Sequence, residues 1–473
     1  MPPPRRLAIL ISIVVITVFF LLTSFAYLNI SLFSFRLPKF SFGFSSNTTT
    51  CPPNAFTDGS WAYKPKTNKT QMTSPDDALE FAGLESCASS REFYWHLASD
   101  REEQWDRFPK VSSWEWEPRE GTCTIAPFNP ESFVRTLVND GGWLLVGDSI
   151  TEGHFFSLSC SLYPHVIATP NYTPNSYFDR AWPQNIYLNP ASPIIQTLSL
   201  PAGFNISSTP LVTFRRVDLL WTQEELEKMH KEMYPEMYDS TPPIDSDSDS
   251  EPKEFKLFSD EAAWSLSPNE YIDEIFTKPL PEANYGTLVI ATAGHWTTTL
   301  FSGYRDELAG EKDGYGIHGV IDFFSKAMER WAELVQKKLD EAETERPLVL
   351  SKDSEGRSWR GLGGRGRKRR QVVVRAYLPG HEDCHDHREP WKEVQPFVWN
   401  WYNWGYIDRF NEVFQSVVSK PQYPNIHYLP IERPARLRPD AHASGDCLHI
   451  MAGVGVMEGW SKYIWHYVTK EIM

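Results

Sequence analysis

Short, densely apolar runs alternate along the chain with longer stretches whose apolar residues recur every three or four positions. From Gly141 onward the first run is Trp143 to Val146, which ends in Gly147-Asp148-Ser149 and passes into a helix-like pattern through Cys160. Further runs are Leu211 to Trp221, Tyr285 to Trp296, Gln371 to His381 and Ile426 to Ile431. Between them, Phe324, Met328, Trp331, Val335 and Leu339 share one helical face, as do Ile407, Phe410, Phe414 and Val417. Buried strands alternating with helices predict an α/β layer fold with a mainly parallel sheet. Such sheets bind ligands at the carboxyl ends of their strands, where Ser149 and His295 fall.

The flanks break this pattern. Residues 7–28 carry no charge and are long enough to span a bilayer, with Arg5 and Arg6 before them. The positive-inside rule predicts a cytosolic tail (1–6), an anchor (7–28) and a lumenal body. A cleaved signal peptide is the competing reading; the length of the segment and the lack of a small-x-small cleavage site oppose it. Residues 29–50 read as a stem, 51–140 as a Cys- and Trp-rich subdomain, and 141–473 as the main domain. Two segments within the last, acidic 239–255 and basic, Gly-rich 351–371, read as flexible insertions. For the basic one, docking of an acidic polysaccharide or of phospholipid headgroups is the alternative to a solvated loop.

Composition narrows the compartment and the partners. The chain has 473 residues, a net charge of −15 and 41% hydrophobic residues, enough for a full core. The acidic balance argues against nucleic acid as partner. Eighteen Trp and twenty Tyr serve either core packing or a carbohydrate-facing surface, and composition does not choose. Sequons at Asn47, Asn68, Asn171 and Asn205 fit a lumenal body. So do six cysteines, whose even number suggests three disulfides of open connectivity.

Candidate chemistry sits at the two ends of the main domain. A serine on a turn between a strand and a helix is either an ordinary capped loop or a held nucleophile. A serine needs a base, and Asp446-Cys447-Leu448-His449 offers one. Three residues apart on a helical turn, Asp446 would hold one imidazole nitrogen and leave the other to take a proton. The cluster His381, Cys384, His385, His387 invites a metal reading, but it matches no standard zinc spacing and Cys384 has a competing use in a disulfide. No metal and no bound cofactor are expected. His295 reads equally as cleft lining or strand-end packing, His442 as a supporting residue and His154 as packing.

These motifs together resemble the trichome-birefringence-like proteins and related SGNH-type serine enzymes. The likeness runs in order through "CPPNAFTDGSW", "WEWEPREGTCTIAPFNP", "LLVGDSITEGHFFSLSC", "ATAGHW", "RPDAH" and "DCLH". It departs at Thr292, where the family box has Asn, and at Ile450 and Met451, where Trp and Cys usually follow, so that this is a divergent member with one disulfide fewer. The resemblance implies an SGNH-like three-layer fold and a Golgi single-pass type II membrane protein that O-acetylates a polysaccharide or glycan. It carries over Ser149, Asp446 and His449 as the triad, with Asp148, Thr292, Gly294 and His295 near the oxyanion or substrate cleft. A carbohydrate acetylesterase with the same triad, and a catalytically silent glycan-binding protein, are the alternatives. The expected disulfides are Cys384–Cys447, clamping the base loop, and Cys51–Cys123 and Cys87–Cys160, tying the N-terminal segment to the catalytic domain. An acetyl donor is required. Since no Gly-rich phosphate loop is present, a multi-span membrane partner is expected to supply the acetyl groups.

Overall fold

The computed structural model describes residues 50–174, 182–239, 255–344, 351–352, 358–359, 369–397 and 401–472. The apolar segment 7–28, the stem with Asn47, and most of both insertions lie outside them. Among the described residues no helix is long and apolar enough to cross a membrane.

The strands in chain order are β1 (Gly59–Tyr63), β2 (Trp114–Pro118), β3 (Gly142–Gly147), β4 (Val166–Thr169), β5 (Gln184–Leu188), β6 (Val212–Arg216), β7 (Tyr285–Ala291), β8 (Ser351–Lys352), β9 (Ser358–Trp359), β10 (Gln371–Arg375) and β11 (Ile426–Leu429). Seven of them form one sheet in the order β11-β10-β7-β3-β6-β5-β4. Its five strands β11, β10, β7, β3 and β6 are parallel, and β5 and β4 add an antiparallel edge. The parallel strands are the apolar runs of the sequence, trimmed to the residues that pair. Trp143, Leu144, Leu145 and Val146 are at most 1% exposed, as a strand covered on both faces requires.

The main helices are α1 (Pro130–Asn139), α2 (Ser149–Ser161), α3 (Gln223–Met233), α4 (Ile317–Thr344), α5 (Ile407–Val418) and α6 (Val456–His466). From β3 the chain runs out to β6 on one side, then crosses to β7 on the other. Right-handed crossovers therefore put α2 on one face and α4 and α5 on the other. On the second face Phe324 meets Phe410 and Phe414 edge-on at 4.9 and 5.2 Å. On the first, α2 is closed in by α6, and every residue from Ile150 to Cys160 is buried. That explains why α2 shows no polar stripe in the sequence.

Residues 49–473 form one compact unit, and the N-terminal part of it, read from sequence as a subdomain, holds a two-stranded antiparallel sheet, β1 with β2, and short helical turns. Its tryptophans pack and bond: Trp61 meets Trp116 edge-on at 5.5 Å, and Trp61 Nε1 donates to the Pro434 carbonyl at 2.9 Å. Cys87 is bonded to Cys160 and so joins this subdomain to α2. Cys51 is bonded to Cys123, within the subdomain itself. The expectation that this second bridge ties two domains is thereby corrected. The Cys51 main chain reaches the C-terminal end of the chain through hydrogen bonds, its N–H to Glu471 Oε1 (2.6 Å) and its carbonyl from the Tyr463 hydroxyl (2.8 Å). The buried Arg91–Glu152 pair, 2.5 Å apart, adds a second link to α2.

His154 lies in the α2–α6 interface, its Nε2 2.9 Å from Ser461 Oγ. Burial, and secondarily the Arg375 charge, push its pKa down to about 3, so it is neutral in the fold. An unfolded histidine titrates near 6.5, so the unfolded chain binds the extra proton below that pH. The stability His154 allows is complete above about pH 6.5 and is lost as pH falls toward 3. Paired replacement His154→Leu with Ser461→Ala leaves no unpaired polar atom there. Between pH 7 and 5 the unfolding free energy of this variant should fall about 2 kcal/mol less than the parent's in urea titrations. Equal falls would show that His154 is not held neutral.

Candidate functional site

The β3–α2 turn is tight because Gly147 has no side chain: a Cβ there would sit 2.3 Å from Thr151 Oγ1 and 2.6 Å from the Ala291 carbonyl. Asp148, fully buried, is the N-cap of α2, and its Oδ1 accepts from the Ile150 N–H at 3.0 Å. Its Oδ2 accepts from the Tyr377 hydroxyl at 2.5 Å. Burial, then the Asp148 charge, raise the Tyr377 phenol well above its ordinary range, so it remains a donor. Ser149 follows as the first residue of α2, half-buried. The N–H groups of Thr151 and Glu152 bond the Asp148 carbonyl. In the first turn, this leaves the Ser149 N–H without a partner among the described residues.

Asp446 and His449 stand on a loop rather than on the helical turn expected from their spacing. The Asp446 carboxylate makes the turn itself, Oδ1 accepting from the N–H of Leu448 (2.9 Å) and of His449 (2.8 Å). Oδ2 lies 2.7 Å from His449 Nδ1. Burial raises the Asp446 pKa, but the His449 ring and the two N–H groups outweigh it, and the carboxyl ends below its usual range. A carboxylate can only accept, so Nδ1 carries a proton, and in the neutral ring the lone pair is on Nε2. Nε2 is buried and has no hydrogen-bond partner.

The loop is held from all sides. His442 and Ile450 form an antiparallel bridge, Cys384 is bonded to Cys447, and the His381 N–H donates to the Cys447 carbonyl at 2.8 Å. His442 Nε2 is 2.7 Å from His381 Nδ1, both buried and kept neutral chiefly by that burial. Cys384, His385 and Cys447 bring potential metal-ligand atoms within 4.8 Å, but both sulfurs are consumed by the disulfide.

Ser149 and His449 line one narrow cleft of about 10 Å³, the room of a single water. Its walls include Ile150, Gly153, Met457 and Trp460 from α2 and α6, and Trp95 and His96 from the N-terminal subdomain. Larger hollows of about 670 and 200 Å³ contain neither Ser149 nor His449. Size alone would point there; the unpartnered nitrogen of His449 points to the small cleft.

Four other expected site residues are not among the cleft's lining. Asp148 is an organiser of the turn. Thr292 donates its hydroxyl to the Asp218 carbonyl, which removes it as an oxyanion donor. Gly294 makes room for Tyr377, whose hydroxyl would lie 2.4 Å from a Cβ at 294. His295 sits beside Asp218 (3.6 Å) and Arg216 (3.5 Å) at the ends of β7 and β6. Trp95 and His96 were not singled out from sequence, because nothing in their spacing distinguishes them from core residues. Asn68, Asn171 and Asn205 are exposed.

No protein-family model matches the chain. Over 125 residues, 26% of this chain, it is 29% identical to "Protein trichome birefringence-like 13" of Arabidopsis thaliana. The match covers 25% of that relative, so the chain spans about a quarter of the protein it resembles.

Gly294→Ala must push Tyr377 from Asp148 and leave a buried carboxylate short of a partner. It and Tyr377→Phe should each cost about 1.5–3 kcal/mol in urea unfolding. The double variant should cost clearly less than the sum, since both remove one contact. Additive costs would mean that Gly294 does not act through Tyr377.

Proposed function

We propose that this chain is a serine-dependent acyl-transfer enzyme, an O-acetyltransferase with Ser149 as nucleophile, His449 as base and Asp446 as the group that orients it. The observation that carries the reading is the Asp446–His449 hydrogen bond with His449 Nε2 unpartnered in the cleft that Ser149 lines. The ring takes the Ser149 proton as Oγ adds to the acetyl carbonyl, and returns it to the leaving group. The imidazolium then faces the Asp446 carboxylate. The Ser149 N–H, at the positive end of α2, meets the oxyanion. In the second half His449 deprotonates an acceptor hydroxyl, which takes the acetyl group from the serine.

A sugar hydroxyl as acceptor is what the motif resemblance of the sequence implies. The second reading is a carbohydrate acetylesterase with the same three residues, water taking the acetyl group in place of a sugar hydroxyl. The glycan-binding alternative without catalysis leaves the unpartnered His449 Nε2 without purpose. In this proposal residues 7–28 anchor the chain in the Golgi membrane with the body in the lumen, glycans occupy the exposed Asn68, Asn171 and Asn205, and a multi-span membrane partner delivers acetyl groups.

The test is turnover of an aryl acetate by the full chain, with and without a panel of oligosaccharides, following acetyl-glycan and free acetate. Ser149→Ala and His449→Ala should each lower turnover by roughly 10³-fold or more without changing the urea midpoint. Near-parental turnover in Ser149→Ala would refute the mechanism. Acetate release unaffected by every oligosaccharide would select the esterase.

A further inference from the structure

Two walls of the cleft come from the N-terminal subdomain, and the mechanism above gives neither a role. Trp95 donates its Nε1 to the Ser444 carbonyl, and Trp460 donates its own to Ile431. Both indoles are satisfied. Among the lining residues, three keep a polar side-chain atom without a partner: Ser149, His449 and His96, the last two at Nε2. His96 is 3% exposed, and this nitrogen is buried without a partner. Buried polar atoms are almost always bonded, so an orphan on a residue that lines this cleft needs an explanation.

The ring is fixed. It stacks on Phe156 of α2 at 4.4 Å and 19°, and meets Trp95 edge-on at 4.9 Å. Its carbonyl accepts from the Ala452 N–H at 2.8 Å, just past the base loop. Burial above all, then the neighbouring His449 and Arg91, hold its pKa down to about 3. It is therefore neutral beside His449 throughout the working pH range, and does not compete for the serine's proton.

Among the described residues the first turn of α2 offers the oxyanion one free donor, the Ser149 N–H. The Ile150, Thr151 and Glu152 N–H groups are taken, and Thr292 is spent on Asp218. The Ser149 N–H alone is less than the set of donors that usually holds a tetrahedral oxyanion. We propose that His96 is a catalytic residue of this cleft, its Nε2–H donating a hydrogen bond to the carbonyl oxygen of the acyl donor as Ser149 adds to it. Ser149 Oγ bonds to the carbonyl carbon, and its proton passes to His449 Nε2. The carbonyl π pair moves onto oxygen, which accepts from the Ser149 N–H and from His96 Nε2–H. On collapse the pair returns, the carbon–leaving-group bond breaks, and the leaving group takes the proton from His449. His96 keeps its own proton throughout.

This inference rests on the serine acyl-transfer reading, and the test separates the two. Acylation by an aryl acetate is followed in the pre-steady state with the full chain, for parent, Ser149→Ala, His96→Phe, His96→Gln and His96→Asn, with urea midpoints measured alongside. His96→Phe keeps the stack on Phe156 and removes the donor; acylation should slow by roughly 10²-fold with KM within about threefold of the parent. A glutamine amide reaches the Nε2 position and should recover most of the rate. An asparagine amide reaches only the Nδ1 position and should not. If His96→Phe does not fold, the Gln and Asn variants decide. A parental rate in His96→Phe, or equal rates for Gln and Asn, overturns the role of His96 while a dead Ser149→Ala leaves the acyl-transfer reading standing. A parental rate in Ser149→Ala overturns that reading itself.

Discussion

The guanidinium of Arg438 closes the loop on which the site depends. It is fully buried and makes a two-pronged pair with Asp440, Nε to Oδ1 at 2.9 Å and Nη2 to Oδ2 at 3.0 Å. Its Nη1 donates to the Val454 carbonyl and its Nη2 to that of Val111, at 2.5 and 2.6 Å, while the plane lies over Trp61. One side chain thus ties both ends of the segment carrying Asp446 and His449 to each other and to the N-terminal subdomain. A buried pair of this kind contributes little net stability against an apolar replacement, but losing one partner is costly, on the order of 3–5 kcal/mol. Its value here is in register: it fixes where the base loop starts and stops. Arg107, donating to the His442 carbonyl at 2.7 Å, and the Cys384–Cys447 disulfide fix the middle.

With that loop fixed, the cleft is a joint product of distant parts of the chain. Ser149 comes from the first parallel strand's turn, His449 from near the C-terminus, Trp95 and His96 from a subdomain that precedes both. The Cys87–Cys160 bridge and the Arg91–Glu152 pair hold that subdomain to α2, the helix that begins at Ser149. The N-terminal segment is therefore part of the candidate site, and losing its attachment would open the cleft wall rather than merely loosen a neighbouring module.

Much of this is legible in the sequence because it rests on local chemistry. Trp143 to Val146 and Val372 to Val374 declare themselves as buried strands, and the 324–339 periodicity as a helix face. The Gly147-Asp148-Ser149 turn and the Asp446–His449 spacing declare a candidate nucleophile and base. What the sequence hides is set by tertiary contact. Asp446 and His449 meet through an Asx turn instead of a helix, a choice made by two N–H groups and the surrounding clamps. The antiparallel edge, Val166–Thr169 with Gln184–Leu188, is set apart by no dense apolar run: Gln184, Asn185 and Thr169 dilute it, and loop-like residues flank both strands. Thr292 looks available until its bond to the Asp218 carbonyl is known. His96 has no motif: only folding brings Phe156 beneath it, Trp95 beside it and the cleft in front of it.

The central claim is that His449, oriented by Asp446, activates Ser149. It is tested most directly by treating the full chain with a small fluorophosphonate and mapping the modified residue by peptide mass spectrometry. Such reagents capture a serine only when a base has made it nucleophilic. The account predicts one adduct, on Ser149, formed by the parent and lost in His449→Ala while the fold is kept. An unlabelled Ser149, or labelling that persists without His449, would contradict it.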